Sequence, residues 1–452
     1  MPDPAPMPDR VPDANRAVLL CGVLIDGTGS APRENMAVLV DGARVSAVLP
    51  WSAFEGLPRV DSNVAVPIAD YRDATVVPGL IDGHAHLCWG SPRSPGWLAV
   101  GDQPASIVGW GLSSCVSALA AGITTVVDCG SRSGLALTVR DLVRAGIACG
   151  PRVLAAGEAI TTTAGHGRDI GITADDAAGM RGAVRDLVAR SADLVKIMVT
   201  GGATDPHTNR RQPQYSTQEL RAAIEDAHRL GRRVVGHANA TEGIVRAVEA
   251  GIDIVAHCNW LGAEPGTVVL DLPTIKRMAQ DGVFVDLNVQ GARRPLAETD
   301  GVVVDWAAQD DAQPGCRWQL LEPMRQEGIA MYLTSDAFGP AIGSFPEQLG
   351  RAGSEWGLGA EELISRVTAI PAQAFGLSDR GMIAAGCDAD ITVYDGDLRT
   401  DWSTLSRPLA VHQRGRLVVS RGRLSPPRIA LAHAGEARAQ DGLIDDVFRA
   451  LD

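Results

Sequence analysis

The stretch Val76–Leu87 reads Val-Val-Pro-Gly-Leu-Ile-Asp-Gly-His-Ala-His-Leu, an apolar run that passes through a turn and ends in two histidines. Because alternate residues of a strand point to the same side, the imidazoles of His84 and His86 can both reach one metal ion. Neutral imidazole is a preferred ligand of zinc and of its transition-metal neighbours. A His-x-His pair is a weak signal by itself, and the prediction depends on residues further along the chain.

Four downstream residues share this setting, because each lies in or directly after a short apolar run: Lys196, His237, His257 and Asp336. Short apolar strands that alternate with helical patterns are typical of a parallel α/β fold. In a (β/α)8 barrel, the C-terminal ends of the strands meet at one mouth, where the chemistry gathers. The pattern therefore predicts a TIM barrel in which all six residues converge.

Composition limits the possible partners and folds. The 452 residues suffice for a barrel of roughly 250 residues and a smaller domain. A net charge of −13 makes nucleic acid and anionic membranes poor partners. Eight scattered cysteines without a Cys-x-x-Cys pair indicate small core residues rather than a disulfide framework. The first residues lack the regions of a secretory signal, so we expect a cytoplasmic enzyme. We also expect a homo-oligomer that acts on a small-molecule substrate.

Both ends of the chain read as β-structure around the barrel. Residues 16–77 and 379–427 predict one composite β-sandwich, and residues 78–378 predict the barrel. Residues 1–15 are rich in Pro, Asp and Ala and predict a disordered start, whereas residues 428–452 predict a helical tail. The acidic segment 291–315 is either a lid over the mouth or a solvated excursion.

Together these pieces resemble the amidohydrolase superfamily of metal-dependent hydrolases, from about Val18 to about Arg423. The chain is most similar to the imidazolonepropionase-like branch, which includes Xaa-Pro and Xaa-Arg dipeptidases. The segments that carry this closer resemblance are Gly165–Gly167, Lys196–Gly202 and Gln214–Ser216. The resemblance implies a (β/α)8 barrel with a small β-domain and a metal centre at its mouth.

We expect two divalent metal ions, zinc before cobalt, manganese or iron. His84, His86 and Asp336 would bind the more buried ion. His237 and His257 would bind the more exposed one. The paired metals would lower the pKa of a bridging water and supply hydroxide, and Asp336 would pass its proton to the leaving nitrogen.

Lys196 is the unusual member of this set, because a protonated ammonium cannot ligate a cation. Two nearby divalent ions would depress the pKa of Lys196 and favour the neutral amine. A neutral amine can add carbon dioxide, and the resemblance implies that the resulting carbamate bridges both metals. By itself, a lysine at a strand end is more often simply charged and solvated.

Several residues near the mouth are candidates for substrate contact. His166 and Tyr215 would meet the substrate or its tetrahedral oxyanion. Arg210 and Arg211 would hold a substrate carboxylate, or be merely solvated loop residues. Trp89 and Trp260 follow ligand segments and would form an aromatic wall or pack in the core. We count His166 and Tyr215, with Asp336, as candidate catalytic residues.

The predicted function is hydrolysis of a C–N bond in an amide, dipeptide or N-acyl amino acid by metal-activated hydroxide. Hydrolysis of a carbamate, aryl urea or cyclic amide, or deamination, stays open, since these reactions differ in the pocket rather than in the metal machinery. A non-catalytic scaffold of the same fold is a remote alternative, because such proteins typically lose metal ligands.

Overall fold

The computed structural model describes residues 16–55, 67–90, 101, 103–202, 207–289 and 321–424. The predicted disordered start, the helical tail and the acidic segment 291–315 lie outside these residues. Within the described ranges, no disulfide forms between cysteines. In the same ranges, no helix has both the length and the apolar character needed to cross a membrane.

The strands and α-helices of the described residues follow in chain order. The strands are β1 (Ala17–Leu24), β2 (Arg33–Asp41), β3 (Arg44–Pro50), β4 (Ile68–Pro78), β5 (Leu80–His86), β6 (Ile123–Asp128), β7 (Arg152–Ala155), β8 (Ala159–Thr161), β9 (Gly171–Thr173), β10 (Val195–Met198), β11 (Val234–Ala240), β12 (Ile254–Leu261), β13 (Phe284–Asn288), β14 (Met331–Thr334), β15 (Ala337–Phe338), β16 (Ile391–Asp395), β17 (Pro408–Gln413), β18 (Arg416–Ser420) and β19 (Arg423–Leu424). The α-helices are α1 (Trp51–Glu55), α2 (Pro104–Ala120), α3 (Leu135–Arg144), α4 (Ala177–Ala189), α5 (Thr217–Arg229), α6 (Thr241–Ala250), α7 (Leu272–Asp281), α8 (Glu322–Gln326), α9 (Phe345–Trp356), α10 (Ala360–Ser365) and α11 (Ala369–Ala374).

Parallel strands form the barrel as two hydrogen-bonded sheets that are joined at two places. One sheet has the order β14-β13-β12-β11-β10-β8-β9 and the other the order β15-β5-β6-β7. The backbone N–H of Asp193, just before β10, donates to the carbonyl of Ala155 at the end of β7, at 2.9 Å. On the other side, β15 directly follows β14 and pairs with β5. These two junctions close the strands into a barrel, and the predicted (β/α)8 fold is confirmed.

The barrel strands are buried on both faces, which explains why they read as continuous apolar runs rather than as alternating patterns. Every residue of β5 and of β11 is buried. Helices cover the outside, and α5 shows how one begins. The Ser216 hydroxyl accepts from the backbone N–H of Glu219, whose carboxylate accepts from the backbone N–H of Ser216. This capping box satisfies donors that the first helical turn would otherwise leave unpaired.

Both ends of the chain contribute to one small β-domain. Its strands form a continuous sheet with the order β19-β18-β17-β16-β4-β1-β2-β3. In the middle, β4 pairs parallel with β1 and antiparallel with β16. One buried cluster collects side chains from both chain ends, including Leu19, Val38, Val76, Ile391 and Val393. The sheet therefore holds the first and last parts of the chain around a shared core.

This sheet also fixes the start of the strand that carries the two histidines. β4 leads through Gly79 directly into β5, and the Gly79 N–H donates at 2.8 Å to the carbonyl of Asp390, the residue before β16. A Cβ on Gly79 would lie 2.2 Å from the Thr124 hydroxyl oxygen, so a residue with a side chain would clash at this position. The Thr392 hydroxyl donates to the Gly122 carbonyl of the barrel. The β-domain thus anchors the bottom of β5, opposite the mouth.

Candidate metal centre

His84 and His86 lie at the C-terminal end of β5 with both imidazoles buried. The Nδ1 of His84 donates to a carboxylate oxygen of Asp286 at 2.6 Å, and the Nδ1 of His86 donates to the Gly130 carbonyl at 3.0 Å. In a neutral ring, a hydrogen on Nδ1 leaves the lone pair on Nε2. Such bonds orient histidines that ligate metals. Both rings therefore present Nε2 as the available ligand atom.

Asp336 completes a group of three facing acceptors. Its Oδ1 lies 3.5 Å from Nε2 of His84 and 3.6 Å from Nε2 of His86. One ligand atom from each residue lies within 4.8 Å of the other two. Two imidazole lone pairs and a carboxylate oxygen repel one another in a buried site unless a cation lies between them. The donor set and its geometry fit a divalent metal ion.

Lys196 joins this group from β10. It is 1% exposed, and its Nζ lies 3.1 Å from Nε2 of His84. Lysine is almost never fully buried without a partner, because removing its charge from water is costly. The side chain therefore reaches the same point as the three acceptors, as the sequence predicts.

Three further histidines line the opposite side of this cluster. The ring centroid of His257 lies 5.4 Å from that of His84 and 4.4 Å from that of His237. His166, in the loop after β8, lies 4.5 Å from His237, ring centroid to ring centroid. The six residues predicted as metal ligands thus converge at the mouth of the barrel, and His166 stands beside them.

Burial keeps the imidazoles of His84, His237 and His257 neutral. Removal from water lowers the pKa of His84, and the nearby Lys196 lowers it further. Burial, followed by the neighbouring His257, lowers the pKa of His237 well below its ordinary value. Burial also lowers the pKa of His257 to about 3. Neutral imidazole is the form that binds a metal, so these residues are ready ligands at neutral pH.

The Asp336 carboxyl behaves in the opposite way. Burial alone would raise its pKa, but the adjacent His84 and His86 outweigh this effect and hold the pKa well below the ordinary value. The Asn288 amide also donates to its Oδ2 at 3.3 Å. Asp336 is therefore an ionised carboxylate at neutral pH, with one oxygen toward the imidazoles and the other toward Asn288.

Two of the ligand positions have backbone conformations that are rare outside glycine. The φ angle is +66° at His257 and +48° at Asp336. A left-handed conformation costs of order 1–3 kcal/mol in a residue with a Cβ, and such positions cluster at active sites. The strand ends are thus bent to aim these two side chains.

The sequence model of the Amidohydrolase family matches residues 75–418, about three quarters of the chain. The chain belongs to the amidohydrolase family. This confirms the predicted superfamily and the predicted enzyme class, a hydrolase of carbon–nitrogen bonds.

Known amidohydrolases resemble the chain over most of its length. It is 23% identical to ochratoxinase from Aspergillus niger over 427 residues, which cover 88% of this chain and 85% of that protein. It is 26% identical to imidazolonepropionase from Chromobacterium violaceum over 401 residues, 80% of this chain and 86% of that protein. A crystal structure of a prolidase complexed with N-methylphosphonate-L-proline has a TM-score of 0.76 and 26% identity, covering 90% of this chain and all of that chain.

The other predicted substrate residues of this amidohydrolase have different surroundings. The Trp89 ring packs against Phe338 at a centroid distance of 4.7 Å and against His86 at 5.2 Å. Trp260 is buried in the main core. His166 contacts the loop after β10, where a Cβ on Gly202 would lie 2.2 Å from its ring. Trp89 and His166 therefore border the metal cluster, whereas Trp260 packs inside.

Tyr215 and Arg211 form bonds within the protein. The Tyr215 hydroxyl donates to the Ala174 carbonyl at 2.9 Å, so the donor predicted for an oxyanion is already engaged. The Arg211 guanidinium donates to the Gly262 and Thr267 carbonyls and ties the loop after β10 to the loop after β12. Arg210 is half-buried in the same loop. This arrangement gives no support to the roles predicted for Tyr215 and Arg211.

Sequence reasoning missed the polar residues that orient the ligands. Asp286 is fully buried, accepts from His84, and accepts from the Thr334 hydroxyl with its other oxygen. The Asn239 amide nitrogen lies 2.8 Å from Nε2 of His237. A signal did exist, because Asp286 and Asn288 alternate within the otherwise apolar strand β13 and therefore share its inner face.

Asp286→Asn is expected to weaken divalent-metal affinity by about 10–100-fold, because His84 loses the charged acceptor that orients it. Competition titration of zinc against a chromogenic chelator measures this. Asp253→Asn is the matched control, since Asp253 also accepts from a histidine, His228, at 2.8 Å but on the outside of the barrel. Equal affinities for the two variants would contradict the orienting role of Asp286.

Proposed function

We propose that the chain is a binuclear metal-dependent hydrolase that cleaves the amide bond of a dipeptide or an N-acyl amino acid. The convergence of all six predicted ligands at one barrel mouth carries this proposal. His84, His86 and Asp336 would hold one ion, preferably zinc, with cobalt, manganese or iron as substitutes. His237 and His257 would hold the other.

Lys196 would bridge the two ions after carbon dioxide converts its amine into a carbamate. Its burial beside His84 supports this role, because a carbamate is an anion and two adjacent cations compensate it. Lysine is also rare in this chain. Of the 41 lysine and arginine residues, only Lys196 and Lys276 are lysines. Arginine cannot be deprotonated in proteins and so could not form the carbamate.

When bound, the metal ions would lower the pKa of a water molecule and polarise the scissile carbonyl. Asp336 would accept the proton that this water loses as its oxygen attacks the carbonyl carbon. The low pKa of Asp336 leaves the carboxylate ionised before the reaction, which is the form that can accept a proton. As the C–N bond breaks, Asp336 would return the proton to the leaving nitrogen, and the products are a carboxylic acid and an amine.

The surroundings of the cluster support a substrate with an apolar group. Trp89 and Phe338 pack edge to face beside His86, so one side of the mouth is aromatic. On the other side, His166 stands next to His237 and would contact the substrate carbonyl. A structural relative that is complexed with a phosphonate derivative of proline agrees with an amino-acid substrate.

A carbamate, aryl urea or cyclic amide is the second candidate substrate. The contacts of Arg211 favour it, because this guanidinium donates to two backbone carbonyls instead of facing a substrate carboxylate. A panel of dipeptides, N-acyl amino acids and aryl ureas on the metal-loaded enzyme separates the two candidates. Turnover confined to substrates without a free carboxylate would replace the first candidate with the second.

Lys196→Ala is expected to lose metal and activity, and acetate or propionate added with excess metal should partly restore both. The physical reason is that a small carboxylate can fill the vacated volume and supply the missing negative charge. Metal content and hydrolysis rate against added acid are the measurements.

Lys276→Ala is the matched control, because it removes the only other lysine, which is exposed on α7. This variant should retain metal and activity without additive. Full metal and full activity in Lys196→Ala without any additive would contradict the bridging role and leave a site with a single ion.

Asp336→Asn is expected to lower kcat by roughly 10²–10⁴-fold, the range typical of a lost general acid–base group. The asparagine oxygen can still face the histidines, but the amide cannot accept the proton from water. Steady-state kinetics measure the loss, and circular dichroism checks the fold. Turnover close to that of the wild type would refute the proton-transfer role.

A further inference from the structure

One buried carboxylate joins the strand that carries His84 to the turn that carries Asp336. The Oδ1 of Asp82 accepts from the backbone N–H of Ser335 at 3.1 Å and from that of His84 at 3.3 Å. Its Oδ2 accepts from the Ser335 hydroxyl at 2.5 Å. Asp82 and Ser335 are both completely buried. Asp82 therefore holds together two segments that lie more than 250 positions apart in the chain.

Ser335 extends this contact through the turn. Its hydroxyl oxygen accepts from the backbone N–H of Ala337 at 2.9 Å. Between these residues, the backbone N–H of Asp336 donates to the His84 carbonyl at 2.9 Å. Three consecutive backbone N–H groups thus have fixed partners, and two of the three depend on Asp82 or on the Ser335 hydroxyl.

The turn needs this support because Asp336 has a φ of +48°. A residue with a Cβ is strained in the left-handed region and persists there only where the surrounding structure over-determines it. Relaxation of this one angle would swing the carboxylate away from His84 and His86. The position of this carboxylate matters for the candidate metal site, since Oδ1 of Asp336 lies within 3.6 Å of Nε2 in both rings.

We propose that Asp82 and Ser335 are positioning residues that set the direction of the Asp336 carboxylate. The inference rests on the proposed function, in which Asp336 is both a metal ligand and the proton acceptor. Asp82 and Ser335 act through Asp336 rather than on the substrate, because their polar atoms are used within the fold.

Thr75 provides a matched control for loss of a buried hydroxyl. Its hydroxyl donates to the Gly396 carbonyl at 2.7 Å and accepts from the backbone N–H of Leu398 at 3.1 Å. It is completely buried and lies on β4, in the β-domain. Thr75→Val therefore removes one bond donated and one bond accepted by a buried hydroxyl, as Ser335→Ala does, but in the β-domain.

The experiment compares wild type, Ser335→Ala, Asp82→Asn and Thr75→Val by steady-state kinetics and by the visible absorption spectrum of the cobalt(II)-loaded proteins. We expect Ser335→Ala and Asp82→Asn to lower kcat by about 10–100-fold, the effect of misplacing a catalytic group by about 1 Å. The KM should change little and the cobalt spectrum should shift, because one ligand has moved. Thr75→Val should keep the wild-type kcat and spectrum.

A wild-type kcat and cobalt spectrum in both Ser335→Ala and Asp82→Asn would overturn the inference. Asp82→Asn is nearly isosteric, so it keeps the test valid if Ser335→Ala fails to fold. Asp336→Asn in the same assay distinguishes failure of the proposed function from failure of the positioning role. If wild type is active and Asp336→Asn is not, the proposed function stands whatever the Ser335 and Asp82 variants show. If wild type has no turnover, the proposed function fails, and the cobalt spectrum alone decides the positioning role.

Discussion

Three potential ligand atoms repel one another at the mouth of the barrel. The lone pairs of His84 and His86 and an oxygen of Asp336 lie within 4.8 Å of one another in a buried site. A cation placed between these three atoms would compensate their repulsion. A metal ion held between these atoms would turn the repulsion into ligation, and the same charge would supply the chemistry of the proposed function.

Buried carboxylates and strained backbone hold the ligand atoms in place. Asp286 accepts from the ring of His84 and holds its orientation. Asp82 accepts from the backbone N–H groups of His84 and of Ser335, the residue before Asp336. The left-handed angles at His257 and Asp336 aim these side chains inward. The buried carboxylates and the left-handed backbone angles cost stability locally. The continuous cores of barrel and sheet offset that cost.

The convergence of the six candidate ligands could be predicted from sequence because each is a polar residue that ends or interrupts an apolar run, and barrel topology brings such strand ends together. The orienting role of Asp286 could not be assigned, because its contact with His84 depends on how the barrel closes. Tyr215 and Arg211 were expected to contact the substrate, and in the structure each donates to backbone carbonyls. Their loop positions could be predicted, but side-chain direction is decided by which backbone carbonyl lies within reach.

We propose that two metal ions share one modified lysine at the mouth of this barrel. X-ray diffraction at the zinc absorption edge, from crystals of protein purified without chelator, would locate both ions. We expect two anomalous peaks, one beside His84, His86 and Asp336 and one beside His237 and His257, with the density of Lys196 extended by a carboxyl group between them. A single peak, or two peaks beside an unmodified Lys196, would rule out a bridging carbamate.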